Sequence, residues 1–130
     1  MTYPVNNFYS STYSGISANG GSPTTVFDST LIPADGYAMI LSVMVANKSS
    51  TTRGLNMTLQ KSGSATAAYM LYDVAIPSQV SFEVIDGNKF VLKRGDSLKA
   101  WMDSAGGANS ADMVVSYVIY TPAVVGSPTL

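Results

Sequence analysis

The chain contains no cysteine and no histidine. Those two absences together remove disulfides, thiol nucleophiles, the usual zinc ligands and the commonest general base. Charge is scarce too: Asp, Glu, Lys and Arg make up 12% of 130 residues, about half the usual share. Seven Lys and Arg against eight Asp and Glu leave a net charge of −1 and no basic stripe of the kind nucleic acid requires. No run approaches the roughly 20 apolar residues of a membrane helix. The opening stretch MTYPVNNFYSS lacks the basic and apolar segments of a secretory signal. A soluble protein is expected, with neither nucleic acid nor membrane as partner.

Catalytic chemistry is equally short of material. Glu83 is the single glutamate, and Asp28, Asp35, Asp73, Asp86, Asp96, Asp103 and Asp112 stand singly, mostly at strand ends and turns. A glycosidase needs a facing carboxylate pair, and a calcium loop needs clustered oxygen ligands; neither is visible in the spacing. The two glycosylation sequons, at Asn47 and Asn56, read as polar turn and strand residues. The expectation is a non-enzyme with no catalytic, cofactor-binding or metal-binding residue.

What is present is hydrophobic and alternating. Hydrophobic residues make up 46% of the chain, in a length that suits one domain and buries roughly two-thirds of its unfolded surface. So apolar and charge-poor a surface favours an oligomer or a docked protein. Leu55, Met57 and Leu59 alternate with Asn56, Thr58 and Gln60, and Val80, Phe82 and Val84 alternate with Ser81 and Glu83. Turn sequences fall between such runs: PADG at 33–36, NKSST at 47–51, SGSA at 62–65, DGN at 86–88 and AGGAN at 105–109. About eight strands are expected, near 24–31, 37–47, 53–61, 67–76, 79–85, 89–93, 97–103 and 112–121. No helical stripe competes, so an antiparallel sandwich or small barrel follows.

Two of these strands are apolar on both faces. Ile40, Met44 and Ala46 oppose Met39, Leu41, Val43 and Val45, while Val114, Val118 and Tyr120 oppose Met113, Val115, Tyr117 and Ile119. A strand apolar on both faces is covered on both, here by a partner subunit or by the chain's own termini. Residues 1–23 carry Tyr3, Phe8, Tyr9, Tyr13 and Ile16 among Ser, Asn, Gly and Thr. They read as an extended arm that docks on a partner or folds back on its own domain. The sandwich is then 24–121 and the proline-bearing tail 122–130. With core strands starting after Pro23, removal of residues 1–20 is expected to leave the sandwich folded.

Two local features invite a binding role. Arg94-Gly95-Asp96 is the adhesion tripeptide, yet in VLKRGDSLKAW it sits between two apolar alternations. A hairpin turn explains it, with Gly95 at positive φ and Asp96 bonding turn amides. Trp101 shares parity with Lys99 and Asp103, opposite Leu98, Ala100 and Met102. It suits cover by an arm or subunit, or alternatively a sugar platform.

Three stretches, LIPADGYAMILSVMVANKSS, IPSQVSFEVIDGNKFVLKRGDSLKAW and MVVSYVIY, resemble small all-β virion proteins of tailed bacteriophages, especially marine cyanophages. In those proteins a strand-turn-strand ending "vaN.ss" precedes an "ivl..GDsl.v" block and a closing "v.vSY.ei" strand. The likeness runs from about Thr24 to Thr121, and Arg94 falls at a variable position of the pattern. It implies a jelly-roll-like antiparallel β-sandwich, located in the virion and assembled in the host cytoplasm. It also implies a capsid decoration (cement) protein, with a tail, neck or fibre component that binds receptor or glycan as the alternative. The implied partners are further copies of the chain, with a homotrimer favoured, and the major capsid protein or another virion protein. The residues expected at such an interface are Tyr3, Phe8, Tyr9, Tyr13, Ile40, Met44, Trp101, Val114 and Val118.

Overall fold

Nine strands form among the described residues of the computed structural model, which are 4–18, 20–85, 89–103 and 111–123. They are β1 (Val5–Tyr13), β2 (Thr24–Phe27), β3 (Tyr37–Asn47), β4 (Arg53–Gln60), β5 (Ala68–Ile76), β6 (Ser81–Ile85), β7 (Phe90–Leu92), β8 (Ser97–Met102) and β9 (Ala111–Thr121). Helix among these residues amounts to one 3-10 turn, Ser29–Leu31, which Asp28 caps by accepting the Thr30 backbone N–H. The turns expected at 86–88 and 105–109, the tail beyond residue 123 and Tyr3 lie outside the described residues.

Pairing is antiparallel throughout and nested. β1 pairs with β9, β2 with β8, β3 with β6 and β7, and β4 with β5. The larger sheet runs β1-β9-β3-β6, with β7 also on β3, and the smaller runs β2-β8-β4-β5. Because β6 and β7 share one position beside β3, nine strands fill eight places. A hairpin rolled up in this way is a jelly roll. Leu55, Met57, Leu98 and Met102 from the smaller sheet meet Ile40, Val43, Val45 and Val115 from the larger in one buried core.

Three expectations need correction. Residues 5–13 are a strand of the sandwich itself, so the domain starts near Val5 and the segment folds back on its own chain. Ile16, just beyond, is fully buried, and its N–H donates to the Ala111 carbonyl at 2.8 Å. Second, Ile40 is core, with no exposed surface. A β-bulge between Ile40 and Ser42 inserts one residue opposite β9. The bulge reverses the side-chain phase: Ala38 and Ile40 face inward before it, and Val43 and Val45 after it. Third, the Arg94-Gly95-Asp96 turn joins no hairpin. It carries the chain from β7 in one sheet to β8 in the other.

One ion pair sits at the end of the core. Arg53 is fully buried on β4; its Nε donates to Asp103 Oδ1 at 2.5 Å, while Asp103 Oδ2 accepts the Gly54 N–H at 2.7 Å. A guanidinium so deeply placed depends on its carboxylate, because a buried charge without compensation is strongly destabilising. Asp103→Ala is expected to lower stability by about 3 kcal/mol, read as a shift in the urea midpoint. Removing residues 1–20 takes away β1 and the Ile16 plug. Since losing one buried Ile alone costs about 2–5 kcal/mol, the truncated chain should lose its cooperative thermal transition.

Candidate functional site

The adhesion tripeptide folds inward. Gly95 has φ +93°, as the third residue of a type II turn requires, and the Asp96 N–H donates to the Lys93 carbonyl at 3.0 Å. The Asp96 carboxylate is buried and fully engaged. Oδ1 accepts the Ser62 N–H at 2.8 Å, and Oδ2 accepts the Lys93 N–H at 2.8 Å and Lys61 Nζ at 2.5 Å. Burial alone disfavours its charge, but the bonds from Lys61, Lys93 and Ser62 outweigh that and hold the carboxyl below its usual range. The carboxylate thus staples the β4–β5 turn to the β7–β8 crossover. Arg94 and Gly95 are exposed while Asp96 is buried, so the tripeptide offers a receptor no acidic group. The sequon at Asn47 is closed in the same manner: its amide donates to the carbonyls of Thr51, Ile76 and Pro77.

Each sheet exposes apolar groups on its outer face. On the larger sheet, Phe8, Val118, Met39 and Val91 lie in register across β1, β9, β3 and β7. Phe8 is 74% exposed, whereas Val118 is nearly covered between its neighbours. Tyr37 and Tyr120 stack beside this row with centroids 4.9 Å apart, and Lys93 Nζ lies 5.3 Å from the Tyr37 ring. Further along the same face Met44 pairs with Val114 over a hollow of about 120 Å³ that Ala46, Ser81 and Asp112 also line. Asp112 accepts the Gly15 N–H at 2.9 Å and Lys48 Nζ at 3.0 Å, and those bonds lower its pKa.

On the smaller sheet Trp101 is half-buried. Its ring meets Tyr69 edge-on at 5.8 Å, and Tyr69 meets Tyr72 at 4.9 Å. The loop at Gly20 closes on the indole, since a Cβ there would press on Trp101 Nε1. Cover for Trp101 therefore comes partly from the chain's own N-terminal segment. Tyr69 and Tyr72 remain 53% and 72% exposed. Neither stood out in the sequence, because β5 is twice out of register with β4 and Asp73 has φ +49°. Such bulges turn side chains away from the strict alternation. The signal available was the spacing of the two tyrosines in AAYMLYD, which no single strand phase accommodates.

The expected interface residues are thus divided. Phe8, Met44, Val114 and Val118 share the outer face of the larger sheet. Tyr9 and Tyr13 are on the inner side of β1, where Tyr9 stacks on Tyr117 at 5.6 Å and Tyr13 packs against the core. Trp101 belongs to the opposite side of the molecule, and Ile40 to the interior.

No family model matches the chain, and no curated protein matches its sequence. Solved structures do match in fold. One is a chain of the Bacillus endospore appendages, a family of disulfide-linked pili. It is 14% identical over 95% of this chain and 92% of its own, with a TM-score of 0.53. A second is a chain of the infectious bursal disease virus T13 particle, 12% identical over 92% of this chain and 31% of its own, with a TM-score of 0.57. A third, from the subviral particle of the same virus, is 13% identical with a TM-score of 0.51. The chain spans about a third of the length of those viral chains. At identity this low the likeness is one of fold alone.

Two outcomes test the account of the turn. Arg94→Ala should leave stability within about 0.5 kcal/mol of the parent, while Asp96→Asn should cost about 2 kcal/mol by setting an amide against its donors. The pH dependence has a definite sign. Asp96 and Asp112 are depressed in the folded state, so their contribution is fully present above the unfolded carboxyl pKa of about 4 and is lost as pH falls through the folded values. Denaturation midpoints from pH 7 down to 2 should fall mainly below about pH 4, and less steeply in Asp96→Asn.

Proposed function

We propose that the chain is a non-enzymatic structural protein of a virus particle: a head decoration protein of a tailed bacteriophage, docking on the major capsid protein as a homotrimer. The observation that carries this reading is the outer face of the larger sheet. Phe8, Val91, Met44 and Val114 are each more than one-third exposed there, on a chain with too little charge to keep such a face free of partners. The jelly-roll order of its strands is in keeping with a role in a particle, as are its fold neighbours from an icosahedral virus. Another fold neighbour belongs to disulfide-linked pili, and this chain has no cysteine with which to link in that way. The location that follows is the virion, with assembly in the host cytoplasm.

The experiment is to incubate undecorated phage heads with the purified chain and image the product. Regular density on the head lattice is expected. Phe8→Ser combined with Val91→Ser and Val114→Ser, all exposed positions, should weaken that binding at least tenfold without changing the circular dichroism. Density at the tail alone would refute decoration.

The aromatic group on the smaller sheet favours a second reading, a tail or fibre module that binds glycan. Tyr72 and Tyr69 present ring faces of the kind sugars stack on, and Asp73 stands beside them. Retention on a glycan array that disappears in Tyr72→Ala would support it, and an array without any signal would reject it.

A further inference from the structure

A jelly roll leaves four sheet edges, and three of these are guarded. β2 has four residues and a register shift against β8. On the far side of β3 the edge is split between β6, five residues with a shift, and β7, three residues. β5 is long, but two shifts and the positive φ of Asp73 break its line. Short edges, bulges and charges are the usual devices against edge-to-edge pairing. β1 has none of them. Its nine residues, VNNFYSSTY, include no charge and no proline, and all nine pair with β9 without a shift. Among the described residues no strand pairs with its other side, which carries the row of backbone donors and acceptors that an edge strand presents to another strand.

The sequence of β1 also suits itself. In an antiparallel pairing of two copies about Tyr9, Val5 stands opposite Tyr13, Asn6 opposite Thr12 and Asn7 opposite Ser11. Apolar meets apolar and polar meets polar at each of these positions; Phe8 opposite Ser10 is the exception. Directly opposed residues share a face of the sheet, and residues two further along are diagonal neighbours. The outer faces of the two larger sheets would thus become one, with the Phe8 of each copy opposite Ser10 and diagonal to the Phe8 of the other. A two-fold axis makes such a contact isologous and closed.

We infer that β1 is a self-association edge, where a second copy of this chain adds its own β1 antiparallel and fuses the two larger sheets into one. The inference rests on the reading of the chain as an assembling protein. A two-fold contact closes no trimer, so in a decorated particle it ties a copy in one trimer to a copy in the next.

The test uses charge at the opposed pair Asn6 and Thr12, both exposed. Asn6→Lys with Thr12→Lys sets like charges against each other across the axis, as does Asn6→Asp with Thr12→Asp. Like charges directly opposite are destabilising. Each double variant should self-associate at least tenfold more weakly than the parent by sedimentation equilibrium, with unchanged circular dichroism. An equimolar mixture of the two should recover the parent's association, because every Lys then meets an Asp. Variants that associate as tightly as the parent, or a mixture that recovers nothing, would overturn the inference. A parent chain that stays monomeric yet coats undecorated heads would overturn it and leave the virion reading standing. A chain that pairs through β1 and stays off the heads would do the reverse.

Discussion

The position of β9 between β1 and β3 is the constraint on which the rest of the fold depends. β9 is the strand that reaches both the first and the third, in unbroken register with one and around a bulge with the other. Its inward residues Met113, Val115 and Tyr117 floor the core, and Tyr117 joins Tyr9 at the edge to Phe27 from the smaller sheet. Closing a loop of this span costs entropy that grows slowly with length. The apolar surface buried at once along an eleven-residue strand outweighs it. Without β9 in place, β1 has no partner and Ile16 no carbonyl at Ala111 to hold it.

Most of the architecture was legible in the sequence, because strands buried on one face alternate and their turns announce themselves. Leu98, Ala100 and Met102 do face inward and Trp101 outward, and Gly95 does adopt the positive φ that KRGD suggested. Two kinds of information were hidden. One is phase: a single extra residue at Leu41 moves Ile40 from the face counted as exposed to the core, and nothing in AMILSVMVA marks the bulge. The other is destination. The turn at 93–96 reads alike whether the next strand returns to the same sheet or crosses to the other, and only the crossing buries Asp96 against Ser62 and Lys61. β1 escaped for a third reason. Serine, asparagine and tyrosine alternate there with weak contrast, so an edge strand resembles an arm until β9 is seen beside it.

The candidate surfaces make sense as consequences of the same scarcity of charge. A jelly roll of this length must show an outer face on each sheet, and this chain covers neither completely. On the larger sheet the uncovered groups are aliphatic and phenyl, suited to broad contact with protein. On the smaller they are two tyrosines beside a tryptophan, with the N-terminal segment already laid against the indole at Gly20. The same segment that supplies β1 to one sheet therefore limits access to the other, so the two faces are joined by the stretch from Tyr13 to Gly21.

The nesting of the strands also sets a timetable. β1 precedes β9 in the chain by about a hundred residues, and at ordinary translation rates of about 5–20 residues per second it waits several seconds for its partner. During that wait an uncharged, proline-free strand containing Phe8, Tyr9 and Tyr13 has both edges open. Segments of that character are the ones that pair with neighbouring chains before their own fold is finished. The hazard of premature pairing at β1 therefore lasts until β9 is made, because the fold that would claim it does not exist before then.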